Sequence, residues 1–167
     1  MEVDTIIDAP SLAYFTFSGY LKAIYTLKNL NSQSEAEICL DHFLNTELVL
    51  ELFAAIDMAK VLTLSGFGLE ESNFGRDPFK KPIFRNLRRL ELGSLLQIYE
   101  ENILPEEELG PFPSTLKVIK LKFFSGKQQQ IDFIEYFLLK AESLEKLILL
   151  KTQEVTTEVE LRISHKS

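Results

Sequence analysis

The sequence predicts an α/β fold in which short parallel strands lie side by side and are joined by helical or looped returns. Two observations carry that reading: an apolar pattern that recurs along the chain at near-constant spacing, and amphipathic helical stripes between its copies. With 167 residues, 46% of them hydrophobic, the chain can bury the core of one such unit.

The recurring pattern is an apolar residue, two variable positions, a second apolar residue, one variable position and a third apolar residue. It occurs as Leu12-x-x-Phe15-x-Phe17, Ala59-x-x-Leu62-x-Leu64, Leu87-x-x-Leu90-x-Leu92, Leu116-x-x-Ile119-x-Leu121 and Leu144-x-x-Leu147-x-Leu149. A weaker copy puts Glu35 at the first position and keeps Ile38 and Leu40. The third apolar residues, Phe17, Leu40, Leu64, Leu92, Leu121 and Leu149, are separated by steps of 23, 24, 28, 29 and 28 residues. The last two apolar positions alternate with polar ones at period 2, so each copy predicts one strand with its apolar side chains on one face. One strand per 20-odd residues, each followed by a return, is the architecture of a leucine-rich-repeat solenoid: a parallel sheet on one side, helices and loops on the other.

The returns are justified in turn. Val49, Leu52, Phe53 and Ile56 follow i, i+3, i+4, i+7 behind the cap candidates Asn45 and Thr46, which predicts a helix. Ile131, Ile134, Leu138 and Ala141 form a second stripe, with Ser125-Gly-Lys-Gln128 read as the capping box that opens it. A shorter return uses Leu95, Ile98, Tyr99 and Asn102 and ends before Pro105. The turn-rich stretch from Ser65 through Pro82 reads as a long exposed loop. The alternation of Val155, Thr157, Val159, Leu161 and Ile163 predicts one more strand, closing the C-terminal edge. The same stripes would also suit an α/β domain of unrelated topology.

Charge and cysteine content limit the function classes. A formal net charge of −7 repels phosphate backbones, so nucleic acid is not the expected partner. Cys39 is the only cysteine and can form no internal disulfide, and no thiolate metal pattern surrounds it, as expected in a reducing cytoplasmic or nuclear setting. The acidic start Met1–Asp8 is unlike a signal peptide, and no apolar run is long enough for a transmembrane helix, so no membrane partner is expected.

Several stretches resemble plant F-box/leucine-rich-repeat proteins that carry an FBD region. They include Asp8-Ala-Pro-Ser-Leu-Ala-Tyr-Phe15, Tyr25-Thr-Leu-Lys-Asn-Leu30, Val61-Leu-Thr-Leu-Ser-Gly66 and Phe84-Arg-Asn-Leu-Arg-Arg-Leu-Glu-Leu92. The more specific likeness is C-terminal: Leu116-Lys-Val-Ile-Lys-Leu121, Phe124-Ser-Gly126, Glu135-Tyr-Phe-Leu138 and Ala141-Glu-Ser-Leu-Glu-Lys-Leu147 are similar to the FBD core. The implied organisation is leucine-rich repeats over 1–113 and FBD-like repeats over 114–167, continuous with the same solenoid. In that family the F-box docks onto a Skp adaptor of a cullin ubiquitin ligase, and the repeats hold the protein to be ubiquitylated. Here the first predicted strand follows Met1 within about a dozen residues, which leaves no room for a helical F-box. The expectation is therefore a protein-binding module without stable Skp binding. The alternative from the same repeat class is a small-molecule, hormone-like receptor fragment.

No catalytic constellation is legible, and no cofactor or metal is expected. His42 and His165 lie far apart, Cys39 has no sequence-local activator, and Gly66-Phe67-Gly68 lacks the third glycine of a dinucleotide fingerprint and precedes Glu70 and Glu71. A basic run (Arg76, Lys80, Lys81, Arg85, Arg88, Arg89) and an acidic one (Glu100, Glu101, Glu106, Glu107, Glu108) suit solvated faces or the steering of a partner. In the predicted register the open sheet face carries Tyr14, Thr16 and Ser18; Val61, Thr63 and Ser65; Arg89, Glu91 and Gly93; Val118, Lys120 and Lys122; Lys146, Ile148 and Leu150. The candidate protein-binding residues are Arg89, Glu91, Lys120 and Lys122, with Tyr14, Thr16 and Thr63.

Overall fold

The structure, a computed structural model, describes residues 5–28, 34–40, 46–66, 84–93, 113–151 and 158–162. Nine strands and two helices are formed among them: β1 (Thr5–Asp8), β2 (Tyr14–Gly19), β3 (Tyr25–Lys28), β4 (Glu35–Leu40), α1 (Thr46–Ala55), β5 (Val61–Ser65), β6 (Arg89–Leu92), β7 (Val118–Phe124), α2 (Gln128–Lys140), β8 (Lys146–Lys151) and β9 (Glu158–Arg162). The predicted α/β class is met, and the neighbouring strands β2, β4, β5, β6, β7 and β8 run parallel. β9 closes the sheet as its seventh strand, antiparallel to β8.

The period-2 apolar residues form two rows across the sheet. Phe15, Ala36, Leu62, Leu90, Ile119 and Leu147 are successive register partners, and so are Phe17, Ile38, Leu64, Leu92, Leu121 and Leu149. All are buried except Phe15 and Phe17, which are half-buried on the edge strand β2. Each fully buried leucine or isoleucine of these rows contributes roughly 1.5–3 kcal/mol relative to exposure. Leading into β5, β6, β7 and β8, a tight turn seats the first repeat position in the same core. Ala59, Leu87, Leu116 and Leu144 each donate a backbone N–H to the carbonyl three residues back, and all four side chains are buried.

Two corrections concern the weak repeat copy and its surroundings. Ile38 pairs with Phe17 and Leu64, so it occupies the third apolar position, not the second. Register partners are then 21, 26, 28, 29 and 28 residues apart along the chain. The misreading arises because Ala36, Ile38 and Leu40 are all buried, and the smallest of them, Ala36, is the true second position. The sequence reading also missed β1 and β3, which form a separate two-stranded parallel sheet. Tyr25 of β3 meets the inward Phe17 edge-on at 5.3 Å between ring centroids, and α1 packs beside β3. β3 is thus the return between β2 and β4. An extended segment rises about 3.3 Å per residue against 1.5 Å for a helix, which explains why the 21-residue step returns through a strand and the 26-residue step through α1.

Both predicted helices that fall on described residues are present. In α1, Val49, Leu52 and Phe53 are buried, followed by Ile56 in the turn beyond it. In α2, Phe137 is the buried residue of the third turn, while Leu138, expected on the buried stripe, is 45% exposed. The helix start is also corrected. Lys127 is the N-cap and makes no side-chain capping bond. The glutamine that reaches back is the buried Gln130, not Gln128: its Oε1 accepts from Ser125 N at 2.8 Å, Gly126 N at 3.0 Å and Ser125 Oγ at 3.1 Å. Gln128 instead donates to Asp132 at the surface. The expected return at 95–102 and residues 67–82 of the expected loop lie outside the described residues, as do His42, His165 and the acidic run.

Candidate functional site

Because β2 and β4 through β8 are parallel and in register, their outward residues also form rows. One row is Tyr14, Glu35, Val61, Arg89, Val118 and Lys146; the next is Thr16, Glu37, Thr63, Glu91, Lys120 and Ile148. Helices and the second sheet bury the opposite face, leaving these rows as the side whose chemistry can vary without disturbing the core.

The four central candidates are brought together. Glu91 lies opposite Lys120 on the adjacent strand, its carboxylate receives Arg89 Nη2 at 2.8 Å, and Lys122 Nζ stands at 3.2 Å. The Glu91 side chain is 13% exposed, so its charge is held in a partly dry setting. Burial pushes its carboxyl upward, and the Lys122 hydrogen bond with the charges of Arg89, Lys122 and Lys120 outweighs it, leaving the group below the usual carboxylate range. Among the described residues the ion pairs therefore consume one acid among three cations. Arg89 Nε is buried without a hydrogen-bond partner among the described residues.

Tyr14 and Thr16 lie on the edge strand β2 and do not join that cluster, whereas Thr63 of β5 stands opposite Glu91 in register and borders it. Tyr14, half exposed, donates its hydroxyl to the Glu37 carboxylate across the β2–β4 ladder. That hydrogen bond raises the phenol above its ordinary value, with smaller contributions from desolvation and from the charges of Glu37 and Glu35. Thr16 and Thr63 flank Glu37 in register.

Sequence reasoning missed Glu35 and Glu37, which face outward on β4; the alternation of the weak copy held that signal once its outward positions were read. It also missed Phe123, 41% exposed at the end of β7, with a left-handed φ of 63° where the β7–β8 register shifts. Ile148 is corrected in the opposite sense: expected among exposed aliphatics, it is only 7% exposed. Cys39 is a free thiol, half-buried, beside Ser18 and Ser65. Among the described residues, no group of His, Cys, Asp and Glu is arranged to hold a metal ion.

The segment that carries β7, α2 and most of β8 decides the comparison with known families. Residues 112–149 match the FBD family. The FBD match thus includes Val118, Lys120, Lys122, Lys146 and Ile148 of the outward rows and the Gln130-held loop at the start of α2. Arg89 and Glu91 lie on the strand immediately before it. No curated protein and no solved structure shows significant similarity to the chain.

Proposed function

We propose that this chain is a non-enzymatic protein-binding module: a leucine-rich-repeat solenoid resembling the substrate-recognition part of plant F-box proteins, its open sheet face being the recognition surface. The observation that carries the reading is the alignment of outward residues into rows over six parallel strands, with Arg89, Glu91, Lys120 and Lys122 gathered on two neighbours. The FBD match over residues 112–149 supports it, because this segment supplies Lys120 and Lys122. A rigid, mixed surface of charges, hydroxyls and an aromatic suits macromolecular recognition, and arginine is a frequent interface anchor. The competing role for the same four residues is mutual neutralisation, worth about 0.2–1 kcal/mol per cross-strand pair. Among the described residues one glutamate faces three cations, which favours an outside partner.

The test is affinity recovery from plant extract with the wild type and with the Arg89→Glu, Lys120→Glu, Lys122→Glu triple variant. The variant is expected to melt cooperatively and to lose specific partners recovered by the wild type. Retention of the complete partner set by a normally folded variant would reject this face as the site.

A further inference from the structure

The outward rows are not uniformly mixed in charge. On β4, Glu35 and Glu37 point outward with Tyr14 and Thr16 beside them on β2, and Val61 and Thr63 on β5. Neither neighbouring strand places a cation opposite either acid. The Tyr14 hydroxyl binds Glu37 but is a neutral donor and leaves the charge in place. On β6 and β7 the balance reverses, with Arg89, Lys120 and Lys122 around the single Glu91. The outward residues of β5 between these regions, Val61, Thr63 and Ser65, are uncharged. Parallel strands in register could pair opposite charges directly across a ladder, the arrangement that stabilises a sheet. Across β4 to β7, apart from Glu91 opposite Lys120, this face instead separates them into an acidic pole and a basic pole, with Glu160 of β9 opposite Ile148 beyond.

From this separation we propose that the face recognises a protein segment laid across the strands with its own charges in two blocks: carboxylates over Arg89, Lys120 and Lys122, and lysine or arginine over Glu35 and Glu37. The inference deepens the protein-binding reading and rests on it. Adjacent strands lie about 4.8 Å apart, so β4 and β7 are separated by roughly 14 Å, which an extended peptide crosses in about four to five residues. The spacing between the partner's charge blocks is thereby set. A uniformly acidic segment would be attracted at one pole and repelled at the other, whereas a two-block segment is attracted at both.

The test uses the full chain and three labelled peptides in fluorescence anisotropy at low and physiological ionic strength. The first carries two aspartates and two lysines separated by four Gly/Ser residues. The second has the same composition with the charges alternating, and the third replaces the lysines of the first by aspartates. The block peptide is expected to bind at least about tenfold more tightly than either control, and to weaken as salt rises. Glu37→Lys and the Lys120→Glu, Lys122→Glu double variant should each abolish that preference while still melting in one cooperative transition. Equal binding of block and alternating peptides, tighter binding of the all-acidic peptide, or an unchanged preference in Glu37→Lys would overturn the two-pole assignment. If the triple variant still loses its extract partners while the peptides show no preference, the protein-binding reading survives and this inference alone falls.

Discussion

Glu91 and Lys122 sit on adjacent parallel strands, and the lysine Nζ lies 3.2 Å from the glutamate carboxylate. The pair couples the strand preceding the FBD match to the first strand within it. Its pH dependence follows from the direction of the Glu91 shift. A carboxyl held below its unfolded value stabilises the fold fully above that value and loses the contribution as pH falls through the folded one. The stability advantage of wild type over Glu91→Gln should be constant near neutrality, no more than about 1 kcal/mol for a pair this close to the surface, and should shrink below about pH 4.3. Urea midpoints measured across that range check it; an advantage that grows on acidification would contradict the pairing.

Leu92 and Leu121 are register partners in the buried third row. Leu92→Ala and Leu121→Ala should each cost about 2–5 kcal/mol, the range for buried leucine truncations. Leu139, 77% exposed on α2, is the control, and Leu139→Ala should stay within about 0.5 kcal/mol. Comparable losses at all three positions would mean that the buried rows are misassigned.

Gly66 and Gly126 share a left-handed backbone, φ 76° and 78°, but differ in their surroundings. A Cβ on Gly66 would stand 2.4 Å from the Leu40 carbonyl oxygen, whereas one on Gly126 meets nothing within 4 Å. Gly126→Ala should cost only the conformational penalty, about 1–2 kcal/mol. Gly66→Ala should cost more, because the neighbouring strand's backbone must also move. Thermal melts of the two variants decide whether β5 ends against β4 as described.

Gln130 holds the Ser125–Gly126 turn from inside, while Gln128 binds Asp132 on the surface. Gln130→Ala leaves two backbone N–H groups without their acceptor and should cost about 1–3 kcal/mol, with faster amide exchange at Ser125 and Gly126. Gln128→Ala should leave both amides as protected as in the wild type. The reverse pattern would restore the capping-box reading that the structure replaces.

The contrast between these glutamines shows where local pattern stops being informative. Spacing alone makes Gln128 the better capping candidate, since it stands three residues after Ser125. The bend at Phe123, with its left-handed φ, and the later helix start place Gln130 against the turn instead. Likewise the weak repeat copy was found by its apolar residues but read two positions out of register. Ala36, Ile38 and Leu40 satisfy the same period, and only pairing with Phe17 and Leu64 distinguishes them.

By itself the sequence determined the side-chain alternation of the six parallel strands, the presence of a helix after β4 and another after β7, and the sign of the overall charge, because these depend on residue type and short-range periodicity. The tertiary structure decided which strand neighbours which, the use of β3 as a return, the antiparallel closure by β9, and the separation of Glu35 and Glu37 from Arg89, Lys120 and Lys122 across an uncharged β5. Those features join residues that are not neighbours in sequence, and whether such residues meet depends on how each return packs on the core. Pairing in register then converts one-dimensional alternation into a two-dimensional surface, whose distribution of charge no single repeat contains.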